Sequence, residues 1–513
     1  MTRENQANQP NGQSQAAGER KLIEDRLAKT AEIRSRGLDP YPPRFNRTHT
    51  SVEAVALFQS LEEGDRESDC GTHTVRVAGR VMARRGQGKA SFIDVKDGHG
   101  SIQVFARQNT MGDESYAILD LLDIGDIIGI EGVVIRTRRG EISVEAQVIT
   151  LLTKAIRPLP DKWHGLQDQE VRFRQRYLDL ISNERAMQNA LLRSKVVRSM
   201  RDFMHSRGFI EVETPILVPI AAGAQATPFA THHNQLNRDL YLRIATELYL
   251  KKLIVGGIER VFEIGRLFRN EGLDHDHNPE FTTIESYQAY ADYNDVMCMV
   301  EEMVSQIAQD TTGSMILPAI PEKRPEIDLT PPWSRLDLRD EIMNRTGIDF
   351  FETRDIESLS KGMRECGIHV EPGSDWGRLL DKVISSEVEP NLIQPHFLID
   401  YPVEMSPLAK CKPGSADIVE RFEAFVMGTE LANAFTELND PVDQRERFEQ
   451  QERLREEFEN DEADRLDEDF LIAIEHGMPP TGGLGLGIDR LTMLLAGEES
   501  IREILLFPAM RSM

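Results

Sequence analysis

The sequence predicts a multidomain α+β protein: a small N-terminal β-barrel domain, then a larger domain of antiparallel sheet flanked by helices. Three observations carry this expectation. Residues 72–152 break into short runs of alternating apolar and polar positions. From about residue 171, long helical periods are interleaved with strand-like runs of period two. Between them, residues 153–170 open on TKAIRPLPDKWHGL, a proline-punctuated linker. A chain of 513 residues has room for more than one core.

Composition excludes several classes. A hydrophobic share of 40% and a charged share of 28% describe an ordinary globular chain. No apolar run approaches the ~18 residues of a membrane span, so no membrane partner is expected. The opening MTRENQANQPNGQSQAAGERK lacks the apolar segment of a secretory signal. Cys70, Cys298, Cys366 and Cys411 are scattered and form no CxxC pair, which suits reduced thiols and a cytoplasmic location. The formal net charge is −26. Residues 1–153 hold 20 Lys+Arg against 22 Asp+Glu, a net of −2, so −24 falls on the rest. Such acidity argues against nonspecific nucleic-acid binding while leaving room for a local basic footprint on the near-neutral first domain.

In chain order, residues 1–18 are rich in Asn, Gln and Gly and read as a disordered tail. Residues 19–71 read as a helical extension, with Leu22, Ile23, Leu27 and Ala31 at roughly helical spacing and a stop at Gly37. Then come THTVRVAGRVMARR, KASFIDV and SIQVFAR, a helix-like YAILDLL, DIIGIEGVVIRT and EISVEAQVITLL. Three strands, a helix and two strands is the order of the OB-fold, whose strand face binds oligonucleotides. In the large domain, residues 171–513, ERAMQNALLRSKVVRSMRDFMHSRGF predicts a long amphipathic helix, followed by a strand IEVETPIL. Residues 320–400 read as an inserted helical piece.

Three constellations point to chemistry. In the first, RVFEIGRLFR and EFTTIESYQAY flank a charged loop at 270–278, so that Arg269 and His277 can face a phosphate while Glu285 and Tyr287 face an amine. A solvated loop is the bland alternative. The second is GGLGLGIDRLTMLLAG, 482–497: its glycines permit close approach to a flat ligand, and Arg490 lies near a strand-to-helix junction. It is not a P-loop, since no Gly-Lys-Ser/Thr follows. The third is Glu423, Glu430 and Glu437, spaced by seven within an apolar stretch where Gly428, Thr429 and Phe435 disfavour a helix. Buried acids need partners, and oxygen ligands suit Mg²⁺ on ATP phosphates. The histidine pairs find no Cys or His at zinc-ligand spacing.

Taken in this order behind an OB-like domain, these blocks resemble a class II lysyl-tRNA synthetase of bacterial type from about residue 20 to the end. GFIEVETPIL is similar to motif 1, FRNEGLDHDHNPEF to motif 2 and GGLGLGIDR to motif 3. The resemblance implies a class II catalytic domain and a homodimer with Pro215 near its interface. It implies ATP, L-lysine and tRNA-Lys as substrates, and up to three Mg²⁺ per site with ATP. Arg269 and Arg490 would be catalytic, Arg269 between the lysine carboxylate and the α-phosphate. Glu271, His277 and Phe281 would help hold ATP, with Arg490 on the γ-phosphate. Glu423 and Glu430 would ligate Mg²⁺. Gly223, Glu247, Glu285, Tyr287, Asn433, Phe435 and Glu437 would bind lysine, Glu247 and Glu437 meeting its ammonium. In the OB-like domain Phe92, Gln103 and Arg80 would meet the anticodon, with Arg84 and Arg85 on phosphates.

The pattern has departures: Ala222, Thr227 and Thr246 stand where the family usually has Gly, Arg or Lys, and Pro, and Val148 where many relatives carry Glu. Ala432 and Ala434 replace common glycines, and their methyls are expected to narrow the lysine pocket. The rival readings are a protein-lysylating paralogue and a non-catalytic tRNA-binding one. The first would lack the OB domain and carry a bulkier residue at Gly485, and the second would lose an arginine or a metal carboxylate.

Overall fold

The computed structural model describes residues 12–63, 73–160, 166, 168–224, 226–458 and 466–511. The chain divides into two compact units, residues 1–165 and 166–513.

In the first unit β1 (Thr74–Gln87), β2 (Ala90–Lys96), β3 (Ser101–Arg107), β4 (Ile127–Arg136) and β5 (Ile142–Thr153) form a closed barrel in the order β1-β2-β3-β5-β4. The β3–β5 pair is parallel and the others antiparallel. Short helical segments, Gln108–Met111, Asp113–Tyr116 and Ala117–Leu121, lie between β3 and β4, which completes the OB architecture. Alternation along β2 and β3 sends Ile93, Val95, Ile102 and Val104 into the core and leaves Phe92, Gln103 and Phe105 on the outer face.

The helical extension differs from its expectation. A helix runs Gly12–Ser35, so residues 12–18 are helical, in keeping with their helix-forming Gln and Ala, and residues 1–11 lie outside the described residues. Leu22 and Leu27 do not pack: they are 47% and 51% exposed, and the helix buries Arg26, Thr30 and Ile33 instead. The reason is backbone carbonyls left outside the ladders. The Arg26 guanidinium donates to the carbonyls of Ala155, Arg157 and Ile124 at 2.9, 3.1 and 3.0 Å. Beside it Lys154, fully buried, donates to Asp126 at 2.7 Å and to the carbonyl of Leu121 at 2.8 Å.

In the second unit an eight-stranded sheet positions the site. Its strands are β6 (Ile210–Glu211), β10 (Arg260–Phe268), β11 (Glu280–Ala289), β14 (Ser334–Asp337), β15 (His396–Ile399), β16 (Arg421–Val426), β17 (Thr429–Thr436) and β18 (Thr481–Gly487). Two small sheets hold β7 (Leu217–Val218), β8 (Ala230–His233) and β9 (Arg238–Leu242), and β12 (Ile316–Leu317) and β13 (Ile327–Asp328). The large sheet runs β14-β15-β16-β17-β18-β11-β10-β6, antiparallel except at its two edge pairs. Helices Glu184–Ser206, Tyr293–Thr312 and Ile488–Ala496 supply Met200, Met303, Ile307 and Leu491 to one core, in which Leu484 and Leu486 of β18 are buried. The expected strand IEVETPIL survives only as β6 and β7, interrupted around Pro215, whose ring removes a ladder donor.

The segment 320–400 is not purely helical. It contains β14 and β15, a parallel pair of the main sheet, with helices Leu338–Thr346, Ile356–Glu365 and Trp376–Val383 as the crossover between them. Parallel neighbours require such a long connection. The three helices share a core around Ile342, Leu359, Met363 and Leu380 with Leu398 of β15 and Phe425 of β16.

Candidate active site

β10 and β11 form the hairpin expected around the charged loop, in the register Glu263↔Glu285, Gly265↔Thr283 and Leu267↔Phe281. The period of two places Leu267, Phe281, Thr283, Glu285 and Tyr287 along one cavity. β18 lies next to β11 and supplies the floor. Its Gly485 sits between Glu285 and Asn433, and its Gly483 between Tyr287 and Phe435. With no side chains at those positions, the flanking strands project their groups over a bare backbone. The cavity measures 490 Å³, and all fourteen residues expected to touch ATP, lysine or metal line it.

One group of these residues is cationic and acidic. The Arg269 guanidinium lies 5.2 Å from the Phe281 ring centre, and its Nε is buried without a hydrogen-bond partner. Arg490, near the start of the Ile488–Ala496 helix, donates to the Glu430 carboxylate at 2.9 Å and its carbonyl at 3.0 Å, and comes within 3.4 Å of His277 Nε2. His277 Nδ1 is in turn 2.9 Å from Asp274, while Glu271 is exposed at the rim. Glu423 accepts from Arg421 at 2.6 Å and from the Tyr401 hydroxyl at 2.8 Å. Burial, opposed by Arg421 and reinforced by Glu430, pushes the Glu423 carboxyl up to about 7. Nearby Glu389, desolvated and facing Glu423, Asp381 and Glu430, is pushed up to about 8.

Sequence reasoning missed Arg421. It lines the cavity and donates from Nε to Asn433 at 3.1 Å while holding Glu423, so it couples an expected lysine contact to an expected metal ligand. Its signal was available: it stands two residues before Glu423 on β16, on the same face.

The second group is a cluster of carboxylates. Glu247, at the start of the Glu247–Val255 helix, and Glu437, just past β17, are both buried and both contact Lys251 Nζ, at 2.5 Å in the case of Glu247. Burial works against the Lys251 ammonium, but the two carboxylates outweigh it and raise its pKa above the ordinary lysine range. Burial, countered by Lys251 and reinforced by Glu247, pushes the Glu437 carboxyl well up, and Oε1 has no hydrogen-bond partner. Glu285 accepts from the Thr246 amide at 3.2 Å. Burial and the charge of Glu247 carry it to about 7 against that hydrogen bond and Arg269. The same burial and the surrounding acids hold the Tyr287 hydroxyl well above its usual range. Gly223 lines the cavity at φ +92°, a conformation that favours glycine, and Phe435 lies against Lys251.

Two departures from the family pattern take on meaning here. Ala432 and Ala434 do not narrow the cavity. They pair with Leu486 and Leu484 and are buried in the core on the opposite face from Asn433 and Phe435. Strand parity sends those methyls away from any substrate. Thr246 supplies the N–H that Glu285 accepts, a donor that proline lacks.

On the barrel, Phe92 and Phe105 stack at 4.5 Å and 8°, with the Arg107 guanidinium 5.1 Å from the Phe105 ring. Gln103 accepts from Ser143 at 3.0 Å. Arg80 is engaged internally, donating to the carbonyl of Gly125 at 2.8 Å. Arg85 pairs with Asp94 at 3.0 Å, and Arg84 donates to the carbonyl of Leu119.

An antiparallel sheet whose bare glycine strand floors a cavity of arginines and carboxylates, carried on a chain with an OB barrel, is the frame of an aminoacyl-tRNA synthetase. Residues 168–511 match the family of class II tRNA synthetases (D, K and N), and residues 75–152 match the OB-fold nucleic acid binding domain. The lysine–tRNA ligase of Dehalococcoides mccartyi is 53% identical over 490 residues, 96% of this chain and 97% of the relative. Those of Carboxydothermus hydrogenoformans and Staphylococcus epidermidis are 49% and 50% identical, over 96% and 95% of this chain and 98% and 97% of theirs. The chain belongs to the lysine–tRNA ligases of the class II family, and it is an ATP-dependent ligase. No helix among the described residues is long and apolar enough to cross a membrane.

Proposed function

We propose that this chain activates L-lysine with ATP in the cavity over the face formed by β10, β11 and β16–β18 and passes the lysyl group to the 3′ end of tRNA-Lys. The observation that carries this reading is that a buried carboxylate pair, Glu247 and Glu437, shares one cavity with Arg269 and Arg490. A side-chain ammonium cancels the charge that Lys251 leaves on such a pair, whereas a neutral side chain leaves that buried charge without compensation, at a cost of several kcal/mol.

In the first step an oxygen of the lysine carboxylate attacks the α-phosphorus. The new O–P bond forms as the bond to the α,β-bridging oxygen breaks, and pyrophosphate leaves. No general base is needed, because the carboxylate is already ionised at neutral pH. Arg269 holds the attacking carboxylate and the α-phosphate in one fork and stabilises the charge that gathers between them. Glu271 and His277 hold ATP, Phe281 offers adenine a ring face, and Arg490 takes the γ-phosphate. Tyr287 joins Glu247 and Glu437 at the side-chain ammonium, Phe435 packs on the methylenes, and Gly223, Glu285 and Asn433 hold the α-amino and carboxylate end.

Glu423 and Glu430 fit Mg²⁺. Both are oxygen donors lining the cavity, and no three His, Cys, Asp or Glu among the described residues form an all-protein cage. Two carboxylates plus phosphate oxygens is the usual way a protein shares Mg²⁺ with a nucleotide. When bound, the ions, up to three with ATP, offset the charge of the triphosphate. In the second step a terminal ribose hydroxyl of tRNA attacks the acyl carbon and AMP leaves.

The barrel reads the anticodon, Phe92 by stacking, Gln103 by base-edge contact and Arg80 by its charge. Replacing Phe92 by Ala lowers kcat/KM for tRNA in aminoacylation by about 10- to 100-fold, the worth of one stacked base, and leaves ATP–pyrophosphate exchange unchanged. We infer a homodimer built around Pro215, supported by the exposed apolar Ile210, Ile216, Leu217 and Ile220 that bracket it in the chain. A cytoplasmic location fits the free thiols of Cys298, Cys366 and Cys411.

Exchange of labelled pyrophosphate into ATP, with Mg²⁺ and a panel of single amino acids, tests the reading. Exchange with lysine alone is expected. Folded protein that binds ATP yet shows no exchange with lysine would overturn it.

A further inference from the structure

The helix Glu247–Val255 brings a second ammonium to the carboxylate pair. Lys251 follows Glu247 by one turn and has no exposed surface. Its Nζ stands 2.5 Å from Oε1 of Glu247 and forms an ion pair with Oε2 of Glu437. The rings of Phe435 and Phe470 lie 5.4 and 5.8 Å from the same nitrogen. Glu247, Glu437 and Phe435 line the cavity, whereas Lys251 does not. The ammonium therefore grips the carboxylates from behind and leaves Oε1 of Glu437 buried without a hydrogen-bond partner.

We propose that Lys251 is a built-in counter-ion that offsets the cost of a negative charge on Glu437 beside Glu247 and aims both carboxylates, so that the pocket selects an amino acid by the ammonium at the end of its side chain. The proposal rests on the lysine reading and deepens it. Lys251 touches no substrate and acts as a positioning residue.

Charge counting gives the logic. Two buried carboxylates with no cation would take up protons rather than stay ionised in a desolvated site. A protonated Glu437 no longer rejects a neutral side chain. One internal ammonium leaves the trio with a single negative charge, which a single substrate ammonium cancels. The other ionisable groups facing this trio are Glu285 and Tyr287 from β11, and Arg269 faces Glu285 in turn. None of these supplies a second cation to Glu437.

Lys251→Met keeps the bulk of the side chain and removes its charge. Expected are a lysine KM raised at least about tenfold with ATP KM unchanged, and a gain in exchange with norleucine relative to lysine. The variant-to-wild-type ratio of lysine KM also falls as pH rises from about 6.5 to 8.5, because the Glu437 carboxyl, already pushed up by burial and now without its ammonium, ionises only at higher pH. If the single variant fails to fold, Lys251→Gln, which keeps a polar donor near the carboxylates but no charge, takes its place with the same expectations. A folded variant with unchanged lysine KM and a flat ratio would overturn the proposal. So would lysine and ATP KM values rising together, the mark of a merely structural role. Absence of lysine-dependent exchange in the wild type would instead sink the functional reading, so the two failures are distinguishable.

Discussion

Replacing Arg269 by Lys lowers kcat for lysine-dependent pyrophosphate exchange by about 10²- to 10³-fold, the usual cost of losing a donor aimed at developing charge. The guanidinium is set over Phe281, and its Nε is buried with no acceptor in the protein. A buried donor without a partner is costly, and it is tolerated here because a ligand oxygen supplies the acceptor. Lysine keeps the positive charge but loses the planar fork that grips a carboxylate and a phosphate at once. The effect therefore falls mainly on kcat, while KM for ATP, held also by Arg490 and His277, changes much less. Steady-state exchange at varied ATP and lysine separates the two. A change in kcat below about threefold would mean that Arg269 is not at the reacting centre.

Gly483→Ala is expected to raise lysine KM by about 10- to 100-fold and to lower thermal stability, the cost of about 1–3 kcal/mol for overpacking a tight site. A Cβ on Gly483 would overlap the Glu437 carboxylate and stand 2.7 Å from Cε1 of Tyr287. Both groups belong to the pocket for the side-chain ammonium, and both must shift to admit the methyl. Gly485→Ala is the informative contrast. Its Cβ would meet only Asn433 O at 3.8 Å and Glu285 Cγ at 3.9 Å, ordinary contacts, so the variant keeps its melting temperature. Gly485 lines the cavity, so any loss in that variant falls on the ligands alone. Melting curves and exchange kinetics on the two variants distinguish a glycine needed by the fold from one needed by the substrate.

Much of the site was legible before any coordinate, because its residues come in runs whose period is fixed by local geometry. Two strands joined by a charged loop placed Arg269, Phe281, Glu285 and Tyr287 correctly relative to one another, since successive strand residues alternate sides. Glu423 and Glu430 were recognisable as non-helical acids because Gly428 and Thr429 between them disfavour a helix, and the two strands do turn at Met427 and Gly428. The same parity rule, left unapplied at Ala432 and Ala434, would have sent their methyls into the core rather than the pocket. Lys251 was half legible: an i+4 partner for Glu247 is written in ELYLK, but its contact with Glu437, 186 positions on, is not.

By itself, then, the sequence determined the order and face of the elements: the five-strand barrel, the β10–β11 hairpin, the bare glycine strand and the residues each one offers. Those follow from short-range rules of period, turn and propensity. Tertiary structure alone decided which faces meet. It gave the Gly12–Ser35 helix an arginine rather than leucines to bury, drew β14 and β15 into the main sheet, committed Arg80 to a backbone carbonyl, and closed Lys251 between two acids. The physical reason is the same in each case. A buried charge or an unpaired carbonyl is satisfied by whichever partner the fold brings near, and distance in space is not written in spacing along the chain.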